Sequence, residues 1–553
     1  MGRRIDRWIP ALKEARLVLL PPSRGVLSRA PDYRSSVTRV PADASAVAAH
    51  PDVVRDGRRL ALTSAPITRL DAMLSDLTAV RAALDSAEID YLLIRSGEDD
   101  RPVLAVDRHR RDEVELAFAT HFAQAPVYAR VDRSKRHRGH GRRAERLLAL
   151  GRLPGDTDDD VFLCYTRRSA AARPGWRVAD AAIRLEFWSF GESEIVAPRA
   201  NALTRNRIDR VDAVTTTVER HGSTWPTLAG MFDDHADDVE FDIDIVFSWV
   251  DGSSPDYLAE RARYLDSQQV NAADASAARY RQIDELRYAM RSVRAFAPWI
   301  RHIFIATDST PPAWLDLDHP DVTIVRSEEF FADPSVLPTY NSHAVESQLH
   351  NIPGLSEHFL YSNDDMFFGR PVNPGLFFTP GGITRFVEAT LRIGVGETSP
   401  SRSGHDNAMR VNRTLLRDRF GRTITRHLEH CAVPLRRTVL RALEAEFPDH
   451  FARTAAARFR SPSDISVTNS LAPYYGLFTG SAVQQTGARV QYIETTLAAT
   501  AARLSRLERG RRVDMFCLND GSEPELDEDA RTAIVTGFLE RYFPVPGPWE
   551  RDG

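Results

Sequence analysis

The pattern of apolar residues in the first half of the chain predicts one long helix followed by two strands. Leucine, methionine and valine recur at helical spacing from Leu70 to Leu84, and the runs YLLIRS and PVLAVD then flank an acidic turn. A helical period followed by two short apolar runs is typical of a small α/β module. We therefore predict an accessory α/β domain over residues 1–237. The charged, aperiodic stretch DDHADDVEFD is interpreted as the linker that follows it.

A different pattern begins after this linker, where apolar strands alternate with helices. The strand IDIVF precedes a helix with Leu286, Met290 and Val293 on one stripe, and the runs IFIA, VTIV and HFLYS come later. Such alternation predicts a doubly wound parallel sheet. Residues 238–553 are therefore expected to form a catalytic α/β domain with a helical insertion at about 405–470.

Polar side chains lie at the carboxyl ends of several predicted strands. Asp251 and Asp308 follow the first two, and Asn363, Asp364 and Asp365 follow the fourth. Open α/β sheets bind ligands at the carboxyl ends of their strands, and adjacent carboxylates repel each other unless a cation compensates them. The sequence has no glycine-rich phosphate loop, so we expect Mg²⁺ or Mn²⁺ to hold a diphosphate here. A polar turn between two strands is the structural alternative.

Composition limits the partners and the compartment. The 553 residues include 72 basic and 77 acidic side chains, a balance that argues against nucleic acid as the main partner. The three cysteines have no metal-like spacing, which favours a reducing compartment. The apolar run Leu17–Leu20 is too short for a signal peptide or a membrane span, so a cytoplasmic location is predicted. The basic start around Trp8 and the run Arg133–Arg146 leave peripheral contact with a membrane as an alternative.

The stretch NSHAVE predicts the start of a helix. Asn341 would cap it, and Glu346 would lie one turn on, on the same face as Ser342 and His343. Taken alone, this stretch is a capping motif with a surface glutamate.

Four ordered segments of the second half carry a family resemblance. They are IDIVFSWVDGSSP, the long stretch from RQIDELRYAM to FLYSNDDMFFGRPV, HCAVPLRRTVLRALEAEFPDHFARTAAARFRSPSDI, and FCLND. Together they resemble the Stealth family of capsule and exopolysaccharide phosphotransferases. The chain is rich in Arg and Ala and in this respect is similar to the mycobacterial members of the family. The resemblance covers about residues 242–549 and implies an A-type glycosyltransferase-like catalytic domain.

The resemblance also implies roles for individual residues. Its catalytic positions match Asp365, Glu346, His430 and Arg460, with His430 as general base and Arg460 on the phosphoryl oxygens. The implied metal ligands are Asp364, Asp365 and Asp520. The expected substrate-binding residues are Asp251, Asp284, Arg287, Asn341, His343, Asn363, His405 and Asn407.

One departure from the family pattern affects the choice of base. The family often has a second proline in its HxPxP segment, whereas this chain has HCAVP with Pro434 alone. His405 is therefore a second candidate base. Without the family, His430 is interpreted as a partner of Glu429, and Arg460 as a surface arginine.

The implied reaction moves a hexose-1-phosphate from a nucleotide-sugar, expected to be a UDP-sugar, to a hydroxyl of a growing polysaccharide. A phosphodiester forms and a nucleoside monophosphate leaves. Two alternatives stay open: a metal-dependent glycosyltransferase that releases a nucleoside diphosphate, and an inactive scaffold that binds polysaccharide.

Overall fold

A computed structural model describes residues 44–97, 99–132, 145–169, 181–265, 283–520 and 524–551. Residues 40–553 form one compact unit. The predictions made for Leu17–Leu20, for Trp8 and for positions 133–144 of the basic run lie outside the described residues. Within the described ranges, no helix combines the length and apolar content needed to cross a membrane.

The described residues form thirteen α-helices. They are α1 (Ser45–Ala48), α2 (Arg69–Ser86), α3 (Arg111–His121), α4 (Pro255–Leu265), α5 (Glu285–Phe296), α6 (Ser327–Phe330), α7 (Ser342–Glu346), α8 (Gly404–Phe420), α9 (Arg437–Glu446), α10 (Pro448–Ala456), α11 (Ala472–Thr479), α12 (Thr500–Gly510) and α13 (Glu528–Tyr542). One turn of π-helix, Val467–Leu471, leads into α11.

The strands fall into two groups, one before and one after the predicted linker. The first group is β1 (Val53–Asp56), β2 (Arg59–Leu62), β3 (Tyr91–Arg95), β4 (Pro102–Asp107), β5 (Val127–Val131), β6 (Glu145–Leu147), β7 (Val161–Thr166), β8 (Ile183–Phe190), β9 (Glu194–Val196), β10 (Arg207–Asp209), β11 (Thr215–Arg220) and β12 (Ser223–Leu228). The second is β13 (Ile243–Ser248), β14 (Ile303–Ala306), β15 (Val322–Val325), β16 (His358–Asn363), β17 (Met366–Phe368), β18 (Thr384–Phe386), β19 (Glu388–Arg392), β20 (Arg426–Leu428), β21 (Val433–Arg436), β22 (Ala482–Gln484), β23 (Val490–Glu494) and β24 (Met515–Asn519).

The first group contains the helix and the two strands that the apolar pattern predicts. Helix α2 begins after Thr68, whose side chain accepts a hydrogen bond from the Asp71 amide, and it buries Met73, Leu77 and Leu84. The runs YLLIRS and PVLAVD form the antiparallel pair β3 and β4, which belongs to an eight-stranded sheet. The predicted linker carries no helix or strand.

The second group contains the predicted doubly wound sheet, which confirms the α/β fold class. Its strand order is β15-β14-β13-β16-β21, and the first four strands are parallel. The edge strand β21 runs antiparallel to β16. Because β21 lies between α8 and α9, the segment predicted as a helical insertion also supplies one strand to the central sheet.

Both faces of this sheet are covered by apolar side chains. Along β13, Ile245 and Phe247 enter one core cluster and Val246 enters the other. Neighbouring side chains of a strand point to opposite faces, so three successive apolar residues, Ile245 to Phe247, are what a strand covered on both sides requires. Asp244 is the polar residue of this strand, and it is buried and forms an ion pair with Arg301. Strand β16 repeats the pattern, with Leu360 on one face and Phe359 and Tyr361 on the other.

The turn after β16 is held by a second, smaller sheet. Asn363 ends β16, Asp364 and Asp365 make the turn, and β17 then pairs antiparallel with β24. Strand β23 joins the far side of β24 in parallel. The acidic turn is therefore placed against a strand from a distant part of the chain.

Candidate active site

A pocket of about 240 Å³ opens beyond the carboxyl end of β16. It collects polar side chains from β16, α7, α8, the turn after β20, the loop that precedes the π-helix, and β24. The lining residues are Ser342, His343, Glu346, Asn363, Met366, Ser403, His405, His427, Leu428, Glu429, His430, Arg460, Ser466, Asn469 and Asn519.

Six residues that the sequence predicts for the site meet in this pocket. They are Glu346, His430 and Arg460 from the predicted catalytic set, and His343, Asn363 and His405 from the predicted substrate-binding set. The pocket therefore draws together positions more than a hundred residues apart in the chain.

Arg460 lies beside a buried carboxylate. Its Nη2 donates a hydrogen bond to Ser342 Oγ at 2.8 Å. Glu346 is 4% exposed and accepts a hydrogen bond from Thr468 Oγ1 at 2.6 Å. Burial raises the pKa of Glu346, and the Thr468 hydrogen bond and the Arg460 charge oppose that shift. Arg460 therefore places a positive charge at the pocket wall, and Glu346 lies close enough to interact with that charge.

The backbone around Arg460 explains how its side chain reaches the pocket. Gly404 is the first residue of α8, and a Cβ atom at this position would lie 2.6 Å from the Cβ of Arg460. Only glycine lets the two segments approach this closely.

Histidines also line the pocket. His430 is exposed at the mouth of the pocket, where its ring meets that of Tyr492 edge to face at 5.3 Å between centroids. The pKa of His430 is lowered, first because neighbouring protein atoms replace solvent and then because of the charge of His427. His430 is therefore neutral at pH 7 and has a lone pair that can accept a proton.

Asp365 lies next to the pocket, behind Asn519. Its Oδ2 accepts hydrogen bonds from Cys517 Sγ at 3.4 Å and from Asn519 Nδ2 at 3.5 Å. Its Oδ1 is buried without a hydrogen-bond partner. Burial, followed by the charge of Asp364, raises the pKa of Asp365 to about 7.

The acidic turn was tested as a cation site on these contacts. A buried carboxylate oxygen without a partner, beside a second carboxylate, is a suitable ligand for a hard divalent cation. Asp364 and Asp365 fit this role. Asp520 is held differently, because it forms an ion pair with Arg531 and accepts a hydrogen bond from Thr495 Oγ1 at 2.7 Å. No group of three or more His, Cys, Asp or Glu in the described part of the chain is arranged to hold a metal ion.

Five predicted substrate-binding residues do not line the pocket. Asp251 caps its own turn by accepting hydrogen bonds from Ser253, and Asp284 is exposed just before α5. Arg287 donates a hydrogen bond to Glu550 at 2.6 Å.

The other two are buried amides whose hydrogen bonds go to the protein. Asn341 caps α7 and donates to Asp464 Oδ2 at 2.8 Å, and Asn407 clamps the Ser399 backbone. Roles in substrate binding for all five residues stay predictions.

Several residues of the site were missed by the sequence reasoning. Glu285, next to the predicted Asp284, is buried, and burial together with the Asp364 charge raises its pKa to about 8. Its position beside Leu286, the first residue of the apolar stripe of the helix, was the available signal. Thr468 and His427 gave no signal, because their partners are distant in the sequence.

Comparison with known proteins agrees with the order of the motifs. Conserved regions 1, 2, 3 and 4 of the Stealth proteins match residues 241–269, 279–386, 429–477 and 505–553. Exopolysaccharide phosphotransferase CpsY of Mycobacterium tuberculosis is 52% identical over 504 residues, which cover 91% of this chain and 93% of that protein. The chain belongs to the Stealth protein family.

Other Stealth relatives carry the same kind of name. The exopolysaccharide phosphotransferase of Nocardia farcinica is 50% identical and covers 87% of this chain and 88% of its own length. Exopolysaccharide phosphotransferase SCO6023 of Streptomyces coelicolor is 38% identical, and the match covers 90% of this chain and 85% of that protein. The predictions of the family and of an enzyme of the transferase class are confirmed.

A solved structure, galactosyltransferase LgtC in complex with donor and acceptor sugar analogs, is 13% identical and covers 55% of this chain and 98% of its own. Its TM-score is 0.27, at which the similarity carries no argument about the site.

Proposed function

We propose that the protein transfers a hexose-1-phosphate from a nucleotide-sugar to a sugar hydroxyl of a growing exopolysaccharide or capsule. The names of the Stealth relatives support a sugar-phosphate transferase. The observation that carries the proposal is that Arg460 and His430 line one pocket at the end of β16, next to Asp364 and Asp365. Phosphoryl transfer depends on positioning and on stabilisation of charge, and these side chains supply both.

In this reaction Arg460 binds the phosphoryl oxygens, held in place by Ser342 and by the charge of Glu346. His430 accepts the proton of the attacking hydroxyl, because its neutral ring faces the pocket mouth. The hydroxyl oxygen forms a bond to the phosphorus next to the sugar, and the nucleoside monophosphate leaves with the electrons of the broken P–O bond. Mg²⁺ or Mn²⁺ on Asp364 and Asp365 would neutralise diphosphate charge when bound.

The proposal extends to partners and location. The donor is a UDP-sugar, the acceptor is an oligo- or polysaccharide, and no nucleic acid takes part. The three cysteines are buried and free, in agreement with a reducing cytoplasm. Residues 238–553 form the catalytic domain, and residues 1–237 place the acceptor or dock at the inner face of the membrane.

The released nucleotide tests the proposal. Purified protein is incubated with an acceptor oligosaccharide, a panel of nucleotide-sugars and Mg²⁺ or Mn²⁺, and parallel samples receive EDTA. We expect metal-dependent release of a nucleoside monophosphate and a phosphodiester in the product. Release of a nucleoside diphosphate would instead identify a glycosyltransferase, and absence of turnover with every donor would favour the scaffold.

A further inference from the structure

Two histidines at the back of the pocket form a pair that the proposed reaction does not use. His405 Nε2 and His427 Nδ1 are 3.3 Å apart, and the two rings stack with an interplanar angle of 27°. Both residues line the pocket. Both also fall between matched conserved regions 2 and 3, which end at residue 386 and begin at residue 429.

The contacts of His427 determine which nitrogen of each ring carries the proton. The backbone of Arg392 lies beside the His427 ring and favours a proton on it. A carbonyl oxygen only accepts, so the nitrogen that faces it is protonated; because Nδ1 faces His405, that nitrogen is Nε2. A neutral imidazole has one proton, which leaves His427 Nδ1 as an acceptor. His405 Nε2 must therefore donate to it.

The same reasoning leaves His405 Nδ1 without a proton. His405 stays neutral because it is desolvated and because His343, Arg460, His427 and His430 surround it with positive or potentially positive charge, which together hold its pKa well below the usual value. The ring remains partly accessible from the pocket. His405 Nδ1, the nitrogen that does not face His427, can therefore accept a hydrogen bond but cannot donate one.

We propose that His405 Nδ1 accepts a hydrogen bond from a hydroxyl group of the sugar that is transferred, and that His427 is the positioning residue that fixes its tautomer. The inference rests on the proposed function, since it places the sugar-1-phosphate in this pocket. A lone pair repels phosphate oxygens and attracts a hydroxyl proton. Arg460 would therefore hold the phosphate and His405 the sugar, on neighbouring parts of the wall.

The proximity of the two groups fits a sugar-1-phosphate. Gly404, adjacent to His405, lies against the aliphatic part of the Arg460 side chain, and His405 and Arg460 line the same pocket. Hydroxyl recognition by an acceptor-only atom disfavours a ligand that lacks the hydroxyl, because the nitrogen would then lose its partner.

The tautomer is measured first, on the full chain without ligand. Two-bond ¹H–¹⁵N spectra of protein labelled with ¹⁵N-histidine distinguish an Nε2-protonated ring from an Nδ1-protonated one, and the His405→Gln variant assigns the signal. We expect the Nε2–H form of His405 at pH 7. The His427→Phe variant keeps a ring but removes the acceptor, so the His405 signals should then show a mixture of tautomers.

Binding is measured next by calorimetry. The probes are inorganic phosphate and the 1-phosphates of glucose, galactose, mannose and N-acetylglucosamine. Two matched variants separate the nitrogens: the amide of Gln reaches the position of Nε2 and can donate to His427, whereas the amide of Asn can present an oxygen near the position of Nδ1. We expect wild type to bind at least one sugar 1-phosphate more tightly than phosphate. His405→Gln should reduce that preference about three- to tenfold, the loss expected for one hydrogen bond, while His405→Asn keeps more of it.

The results separate this inference from the proposed function. An Nδ1–H tautomer in wild type, an unchanged preference in His405→Gln, or no preference in wild type overturns the inference. If His405→Gln does not fold, the wild-type tautomer and the wild-type preference decide the question. Release of a nucleoside diphosphate would overturn the proposed reaction. The tautomer of His405 and its recognition of the sugar would still be decided by the NMR spectra and the calorimetry.

Discussion

The Asp365 carboxylate accepts a hydrogen bond from the Cys517 thiol at 3.4 Å, while its second oxygen is buried without a hydrogen-bond partner. A neutral thiol is a weak donor, so this contact compensates little of the carboxylate charge. The charge of Asp364 adds to the imbalance and helps to raise the pKa of Asp365 to about 7. A carboxyl group in such surroundings is stabilised by a proton or by a positive charge from a ligand.

The substitution Asp365→Asn is expected to abolish nearly all turnover and to leave the fold intact. The amide keeps the shape of the side chain but loses the charge that would hold a cation. Turnover is measured at saturating Mg²⁺, with Asp529→Asn on the exposed side of α13 as control. Activity within about tenfold of wild type would remove Asp365 from the site.

The same variant should change stability with pH. The pKa of Asp365 is about 7 in the folded protein, above its ordinary value near 3.9, so ionisation disfavours folding. Its cost grows as pH rises from about 4 to 7 and then levels off. In EDTA, the melting temperature of Asp365→Asn should exceed that of wild type by a margin that increases from pH 5 to pH 8. A margin independent of pH would contradict the raised pKa.

His430→Ala should lower the rate by about 10² to 10⁴ if His430 is the general base. Donor binding should change little, since its partner is the acceptor hydroxyl. Because desolvation and His427 lower the pKa of His430, the wild-type rate should rise with pH through a midpoint below the usual imidazole value of about 6.5 and then level off.

Tyr492→Phe keeps the ring that packs on His430 and serves as the matched variant. Its pH profile should stay close to that of wild type. A near-normal rate in His430→Ala would move the role of base to His405.

Gly404→Ala is expected to reduce turnover without unfolding the protein, because the added Cβ would lie 2.6 Å from the Cβ of Arg460 and must displace it. Gly510→Ala is the control, since Gly510 also lies at the end of a helix and has no neighbour within 4 Å of an added Cβ. Both variants are compared in kcat/KM for the donor. Equal values would show that the position of Arg460 does not limit the reaction.

The lengths and types of the main elements were predictable, but the contacts that build the site were not. Short apolar runs predicted β13, β14 and β16 because these strands are buried on both faces, although β13 also buries Asp244. The pairing of β17 with β24 joins residues about 150 positions apart, and no local pattern encodes it.

Side-chain direction was the second limit. The sequence pointed to Asp284, yet Glu285 is the acid that turns inward at the start of α5. The distinction depends on how α5 packs on the sheet, which the helical period alone does not fix. The contact of His405 with His427 depends in the same way on the placement of β20 beside α8.

A fragment of residues 238–553 should fold alone and retain metal-dependent release of nucleoside monophosphate. The buried clusters of the two halves are separate, although Arg95 forms an ion pair with Asp238 at the boundary. Circular dichroism and the nucleotide assay check this prediction, with poorer use of long acceptors as the expected defect. A folded fragment that is inactive on short acceptors would show that the first half contributes to catalysis.

The pairing of β17 with β24 has a consequence for biosynthesis. Asp365 leaves the ribosome 152 residues before Cys517, which is about 8 to 30 s at ordinary bacterial rates of translation. During that interval the central sheet can form, but the acidic turn has no strand behind it and no Asn519 beside it. Under the proposed function, a nascent chain therefore lacks a complete active site until the last conserved region has been made.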